Sequence, residues 1–150
     1  MLYFAYGSNM CSMRMHQRAP SAVVIGIACL QDHHVVCNKQ GQDGTAKANI
    51  VPHRDASTYG VLYEISANEM KFLDTKETGY RRVEKTILNH LHQSIRVQTY
   101  VAFRLTRQPA TTDWYKSLMI QGATEHGLPE DYIRVLGQLP ANDSTSKTNA

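Results

Sequence analysis

The sequence is poor in the features that mark whole classes of protein. No apolar run approaches the roughly 18 residues that a membrane span needs, so no membrane partner is expected. The first residues carry no basic stretch ahead of their apolar ones and are aromatic and turn-forming, unlike a secretory leader. That predicts a cytoplasmic protein. Cysteine is scarce: Cys11, Cys29 and Cys37 form an odd set without C-x-x-C spacing, which speaks against a disulfide framework or a zinc site. Positive charge is thin and scattered. The net charge is +3 and Arg81-Arg82 is the only adjacent basic pair, so no nucleic-acid partner is expected. The chain also lacks G-x-S-x-G, a P-loop and H-E-x-x-H, the short motifs of common hydrolases, nucleotide binders and zinc proteases.

What is present is ordinary in bulk and informative in order. At 150 residues, 42% hydrophobic and 19% charged, the chain fits one globular domain with a sizeable core. No repeat or low-complexity linker divides it. Residues 1–141 are expected to form that domain, and the small, polar residues 142–150 a flexible tail. Its opening, Met1-Leu2-Tyr3-Phe4-Ala5-Tyr6-Gly7-Ser8-Asn9-Met10, runs apolar and aromatic residues into Gly-Ser-Asn. That reads as a buried strand over residues 2–6, a tight turn, and a helix over residues 10–17 capped by Ser8 or Asn9 and closed by Pro20. A strand-to-helix turn of this kind aims backbone N–H groups into open space, where they suit an anion.

Strands are predicted over residues 22–30, 33–37, 48–51 and 59–65, with a loop over residues 38–45. Ser66-Ala67-Asn68-Glu69 has capping-box spacing, so a helix begins there, burying Met70, Phe72 and Leu73 and ending near Gly79. Residues 82–89 and 94–105 read as a hairpin. From Thr112 the period becomes helical, with Tyr115, Leu118 and Met119 on one face and Gly127 as a stop. Pro129 opens a last helix, in which Tyr132, Val135, Leu136 and Leu139 recur at helical spacing. The fold class is α+β, with a mainly antiparallel sheet curled into a small barrel.

Few residues suggest chemistry on their own. Ser8 follows a glycine, but nothing ties a histidine and an acid to it. His33 and His34 point to opposite faces of a strand. His90 and His92 share a face if extended, yet a metal site needs more ligands. Glu77 stands out because it sits at a helix C-terminus, where the helix dipole disfavours a carboxylate. Tyr6 and Tyr100 either present hydroxyls to a pocket or are core aromatics with satisfied hydroxyls.

Three segments together resemble one family. Tyr6-Gly7-Ser8-Asn9, followed by Arg14, resembles the Tyr-Gly-Ser-Asn signature of the γ-glutamylcyclotransferases. Leu73-Asp74-x-x-Glu77 with Gly79-Tyr80 resembles their catalytic-glutamate segment. Gln121-Gly122-Ala123-Thr124-Glu125-His126-Gly127-Leu128-Pro129-x-x-Tyr132 resembles their C-terminal signature. The motifs occur in family order over residues 3–136. The resemblance implies a small β-barrel with surrounding helices, and conversion of a γ-glutamyl amide to 5-oxoproline and a free amine. It implies Glu77 as general acid/base, Tyr6, Gly7, Ser8 and Asn9 as the substrate-holding loop, and Tyr100 as a pocket tyrosine. Arg14 is expected as an ion-pair partner, Tyr80 and Arg82 as supports of the Glu77 segment, and Glu125 and Tyr132 as ties between the last two helices. Only Thr78 separates Glu77 from Gly79, fewer residues than in some members, and that bears on the pocket rim and substrate choice.

The implied reaction is an internal aminolysis that needs proton transfer and positioning, so no metal and no organic cofactor are expected. The Gly7, Ser8 and Asn9 amides are left to hold either the substrate's α-carboxylate or the developing oxyanion. The partner is a small γ-glutamyl compound, with a homodimer left open. Two alternatives stand beside this reading: removal of a γ-glutamyl group from a specialised amine or biosynthetic intermediate, and a non-catalytic binder of γ-glutamyl-like metabolites.

Overall fold

The computed structural model describes residues 1–142. The expected tail therefore lies outside the described residues except for Asn142, which pairs as a strand rather than trailing free. Five strands close into a barrel in the order β1-β3-β2-β4-β5. They are β1 (Leu2–Ala5), β2 (Val23–Gln40), β3 (Ala46–Glu64), β4 (Tyr80–Asn89) and β5 (Ser94–Ala102). Every pairing is antiparallel except the one that closes the ring, where β1 lies parallel to β5 through Tyr3 and Gln98. The predicted hairpin β4–β5 is present. A second, two-stranded parallel sheet joins β6 (Thr111–Thr112) to β7 (Ala141–Asn142). Among the described residues, no helix is long and apolar enough to cross a membrane.

The central departure from expectation is the length of β2 and β3. The four strands predicted across residues 22–65 are two, of 18 and 19 residues. The ladder breaks between the pairs Gln31–Ser57 and His33–Pro52, where Asp32 alone opposes residues 53–56. Asp32 and Asp55 both take left-handed φ (59° and 66°), and the Asp55 N–H donates to Asp32 Oδ1 at 3.0 Å. Short polar side chains that tolerate this region allow the irregularity, which lets the strands coil without ending. It also shifts the side-chain alternation. Ala28 and Leu30 are buried before it, and Val35, Cys37 and Lys39 after it. The loop shrinks to Gly41–Thr45, tied by Gly41 N–H to Thr45 O and by Asp43 accepting from Thr45.

The helices are α1 (Ser12–Arg18), α2 (Ala67–Lys76), α3 (Asp113–Glu125) and α4 (Glu130–Gly137). Ser8 and Asn9 do not cap α1. They lie in a 3-10 turn, Ser8–Met10, and Cys11 stands at the N-cap position without a side-chain bond. The capping box of α2 forms as read: Glu69 N–H donates to Ser66 Oγ at 3.1 Å, and Ser66 N–H to Glu69 Oε1 at 3.2 Å. Met70 and Leu73 are buried beneath α2, but Phe72 is 45% exposed because it points off that face. On α4, Tyr132 and Leu136 are buried while Val135 lies at its margin. Leu139 is buried beyond the helix end. Helix α3 packs directly on the 3-10 turn. At Gly122 a Cβ would stand 2.3 Å from the Met10 carbonyl carbon and 2.5 Å from Cys11 N, so only glycine permits that approach.

Candidate active site

The open ends of α1 and α2 meet at the turn that follows β1. The turn is closed by Met10 N–H donating to Gly7 O at 3.1 Å, and the N–H groups before it have no acceptor within such a turn. Gly7 is pressed close to the barrel. A Cβ there would lie 3.2 Å from Ala48 Cβ and 3.4 Å from the Tyr115 hydroxyl. Ser8 and Asn9 are buried.

Glu77 reaches this turn from the C-cap of α2, where its N–H donates to Leu73 O at 2.9 Å. Gly79, at φ 84°, then reverses the chain into β4. The Glu77 side chain is 15% exposed. Its Oε1 accepts from Asn9 Nδ2 and from Arg18 Nη1, each at 3.2 Å. Arg18 also donates to Asn9 Oδ1 at 3.1 Å, and Asn9 Nδ2 donates to the Tyr3 hydroxyl at 3.0 Å. Since arginine only donates, Arg18 settles which end of the Asn9 amide is oxygen. Both contacts fall on Oε1, and among the described residues Oε2 has no protein partner. Burial pushes the Glu77 carboxyl above the usual carboxylate range; Arg18, the Asn9 amide, Lys39 and Arg14 pull the other way and only partly offset it.

Glu77, Tyr6, Gly7, Ser8, Asn9 and Tyr100 line one cleft of about 320 Å³, completed by Tyr3, Ala48, Tyr80 and Tyr115. The two expected tyrosines contribute rings, because their hydroxyls are engaged in the wall. Tyr6 donates to Tyr100 O at 2.6 Å, and Tyr100 donates to Asp74 Oδ1 at 2.7 Å. Arg82 holds that same carboxylate at 3.4 Å, so it supports Tyr100 through Asp74. Tyr80 donates to Ala48 O. The hydroxyls of Tyr3 and Tyr115 differ. Each accepts a bond, from Asn9 Nδ2 and from Ala48 N–H respectively, and keeps its own proton to give. Sequence reasoning passed over both. The signal for Tyr3 was its place on the strand that leads into the Gly-Ser-Asn turn.

Arg14 makes no ion pair among the described residues, contrary to expectation. Its guanidinium lies 6.0 Å from the Trp114 ring centre and its Nε has no partner. The pairing falls to Arg18 one turn later, at the end of α1, where the helix dipole favours a cation. Glu125 accepts from Ser12 N–H at 3.1 Å, and the Tyr132 ring meets Tyr59 at 5.3 Å. They tie α3 to α1 and α4 to the barrel, not the last two helices to each other. His90 and His92 sit at the β4–β5 turn, and His34 meets His53 across β2 and β3 at 5.7 Å. Among the described residues no three His, Cys, Asp or Glu side chains converge as a metal site.

Outside the cleft, and sharing Ser8, Glu77, Tyr80 and Tyr115 with it, opens a vestibule of about 870 Å³. Five cations line it, Arg14, Arg18, Lys39, Lys47 and Lys76, against the acids Asp43 and Glu77. Lys47 is paired with Asp43 at 3.1 Å. Lys39 is 6% exposed, and its side chain makes no hydrogen bond or ion pair among the described residues. Its ammonium stands 4.9 Å from the Tyr80 ring centre. Such a contact is worth about 0.5–2 kcal/mol, and the ammonium otherwise faces the open vestibule.

The AIG2-like family profile matches residues 57–136. The chain is 31% identical to the γ-glutamylcyclotransferase of Bos taurus, over 99% of this chain and 83% of that protein. It is also 31% identical to that of Homo sapiens with the same coverage. A solved structure named gamma-glutamyl cyclotransferase superposes with a TM-score of 0.89 at 29% identity, covering 98% of this chain and 92% of that one.

Proposed function

Because the chain belongs to the AIG2-like family of γ-glutamylcyclotransferases, we propose that it is an enzyme that cyclises a γ-glutamyl amide to 5-oxoproline and releases the amine. The observation that carries this reading is Glu77 with one oxygen anchored and the other free, lining the same cleft as the Gly7-Ser8-Asn9 turn.

The substrate's α-nitrogen attacks its own γ-carbonyl carbon. A C–N bond closes the five-membered lactam and the γ-amide C–N bond breaks. From ammonium to lactam the α-nitrogen gives up two protons, and the departing amine gains two as it leaves as an ammonium. Glu77 Oε2 is the shuttle, first base and then acid. A carboxyl lifted above its ordinary range by burial suits both roles better than an exposed one. Arg18 and Asn9 fix Oε1, so the carboxylate does not rotate away between the two transfers.

Nucleophile and electrophile share a molecule, so the enzyme's other task is to hold the folded rotamer. The tyrosine-walled cleft confines the glutamyl chain. The amides opening the Ser8–Met10 turn face its α-carboxylate or the oxyanion, and Tyr3 and Tyr115 have protons left to donate to the same groups. Asn9 is thus a positioning residue for Glu77 as well as part of the loop. The free thiols of Cys11, Cys29 and Cys37 support a reducing, cytoplasmic setting for this chemistry.

Incubation with γ-glutamyl dipeptides and γ-glutamyl amines, scored for 5-oxoproline, tests the reading. Glu77→Gln keeps the hydrogen-bonding shape and removes the shuttle, and is expected to lower kcat about a hundred- to ten-thousandfold. Wild-type turnover by Glu77→Gln would overturn the assignment.

A further inference from the structure

We propose that the vestibule is a subsite for an acidic leaving group, an amino acid with a carboxylate in its side chain, and that Lys39 selects it. The proposal rests on the cyclotransferase reading and names the substrate class for that same site.

Lys39 is placed there by the backbone. The irregularity at Asp32 puts the odd-numbered residues of β2 inward, and Lys39 ends that buried series after Val35 and Cys37. The strand end is held on both sides, since Lys39 pairs with Lys47 on β3 and bridges Leu105. Flanking bonds from Gln40 N–H to Arg104 O and from Thr106 N–H to Asn38 O fix the same edge. The side chain runs past Gly79, where a Cβ would lie 2.8 Å from its Cε. A long, flexible cation is therefore carried with its stem buried to the wall of the vestibule, with no carboxylate in direct contact with its ammonium among the described residues.

The neighbouring charges show how much anion is missing. Arg18 is committed to Glu77 and Lys47 to Asp43. Lys76 lies over its own helix's Phe72 ring. The Lys39 ammonium, over the Tyr80 ring, has no hydrogen bond or ion pair among the described residues, and Arg14 has no ion pair there and an unpartnered Nε. Two cations without an ion pair, in the vestibule outside Glu77, match two carboxylates, the α-carboxylate and the side-chain carboxylate of a departing dicarboxylic residue. A simple amine brings neither, and a cationic one meets repulsion from Lys39.

The test compares γ-glutamyl-glutamate with γ-glutamyl-glutamine, which differ in one charge and hardly in shape. In the wild type, kcat/KM is expected to favour the acidic dipeptide about tenfold or more, through KM. Lys39→Met is expected to bring that ratio to about one, and Lys39→Arg to retain most of it, since one charge-assisted bond carries the preference. A folding defect would lower both substrates alike and leave the ratio intact, which would overturn the proposal. Equal kcat/KM for the two dipeptides in the wild type would overturn it as well and leave the cyclotransferase reading standing. Calorimetric binding of both dipeptides to Glu77→Gln, with and without Lys39→Met, reads the subsite without turnover. A Lys39-dependent preference in binding, with no 5-oxoproline formed by the wild type, would uphold the subsite and sink the cyclotransferase reading. Absence of both binding and turnover would sink both.

Discussion

Glu77 and Arg18 form the pair on which the proposed chemistry turns, and only one of them was visible beforehand. Glu77 drew notice because a carboxylate at a helix C-terminus opposes the dipole. Arg18 at the end of α1 obeys every local preference and so carried no signal. Its partner is 59 residues away, a separation no local pattern encodes. The same reason hid Lys39, whose burial depends on how the Asp32 irregularity resets the alternation of β2. The pair makes a specific prediction. Arg18→Gln removes the cation that restrains the Glu77 carboxyl, so its pKa climbs further. The acidic limb of the kcat/KM profile should then move up by about one to two pH units, with the deficit shrinking as pH rises. Arg18→Lys should move it less. A uniform loss at every pH would instead mean that Arg18 only shapes the turn.

The elements most legible in the sequence were those governed by local rules. The capping box of α2, the β4–β5 hairpin and the Gly127 stop, at φ 74°, appear where the residues placed them. The long β2–β3 ribbon was cut into pieces, with gaps at residues 31–32 and 52–58, where in the barrel Asp32 and Asp55 bend strands that continue. The three motifs likewise identified the cleft, but not why the C-terminal one belongs to it. Gly122 supplies the reason: α3 lies against the backbone of Met10 and Cys11, so this helix forms the floor beneath the Gly7-Ser8-Asn9 turn. Gly122→Ala is therefore expected to cost about 1–3 kcal/mol in urea unfolding, as overpacking does, and to lower kcat/KM for every substrate alike by displacing the turn. Gly137→Ala, where a Cβ meets nothing within 4 Å, should hold or raise stability as a helix residue. If Gly122→Ala unfolds at the same urea concentration and turns over normally, α3 does not set the turn.

At the scale of the whole molecule, the site and the fold make opposite demands on Glu77. The barrel closes around a core to which β1, α1 and α2 all contribute, and the network from Tyr3 through Asn9 to Arg18 and Glu77 stitches the same elements together. Burial within that closure raises the folded-state pKa of Glu77 above its value in the unfolded chain. A group raised in this way binds its proton more tightly in the native state. Its contribution to stability is complete below the unfolded carboxylate pKa, about 4.3, and is lost as pH rises through the folded value, at about 1.4 kcal/mol for each unit between the two. Glu77→Gln lacks that titration. Its loss of the Arg18 ion pair matters mainly where wild-type Glu77 is ionised, and the folded-state pKa already includes that attraction. Relative to the wild type, Glu77→Gln should therefore gain stability between pH 4 and pH 8, whatever its standing at either end. Urea unfolding of both proteins across that range measures the difference. A variant that instead loses ground as pH rises would place the Glu77 pKa below its unfolded value, with Arg18 and Asn9 outweighing burial, and a carboxylate so held would be a poor proton shuttle.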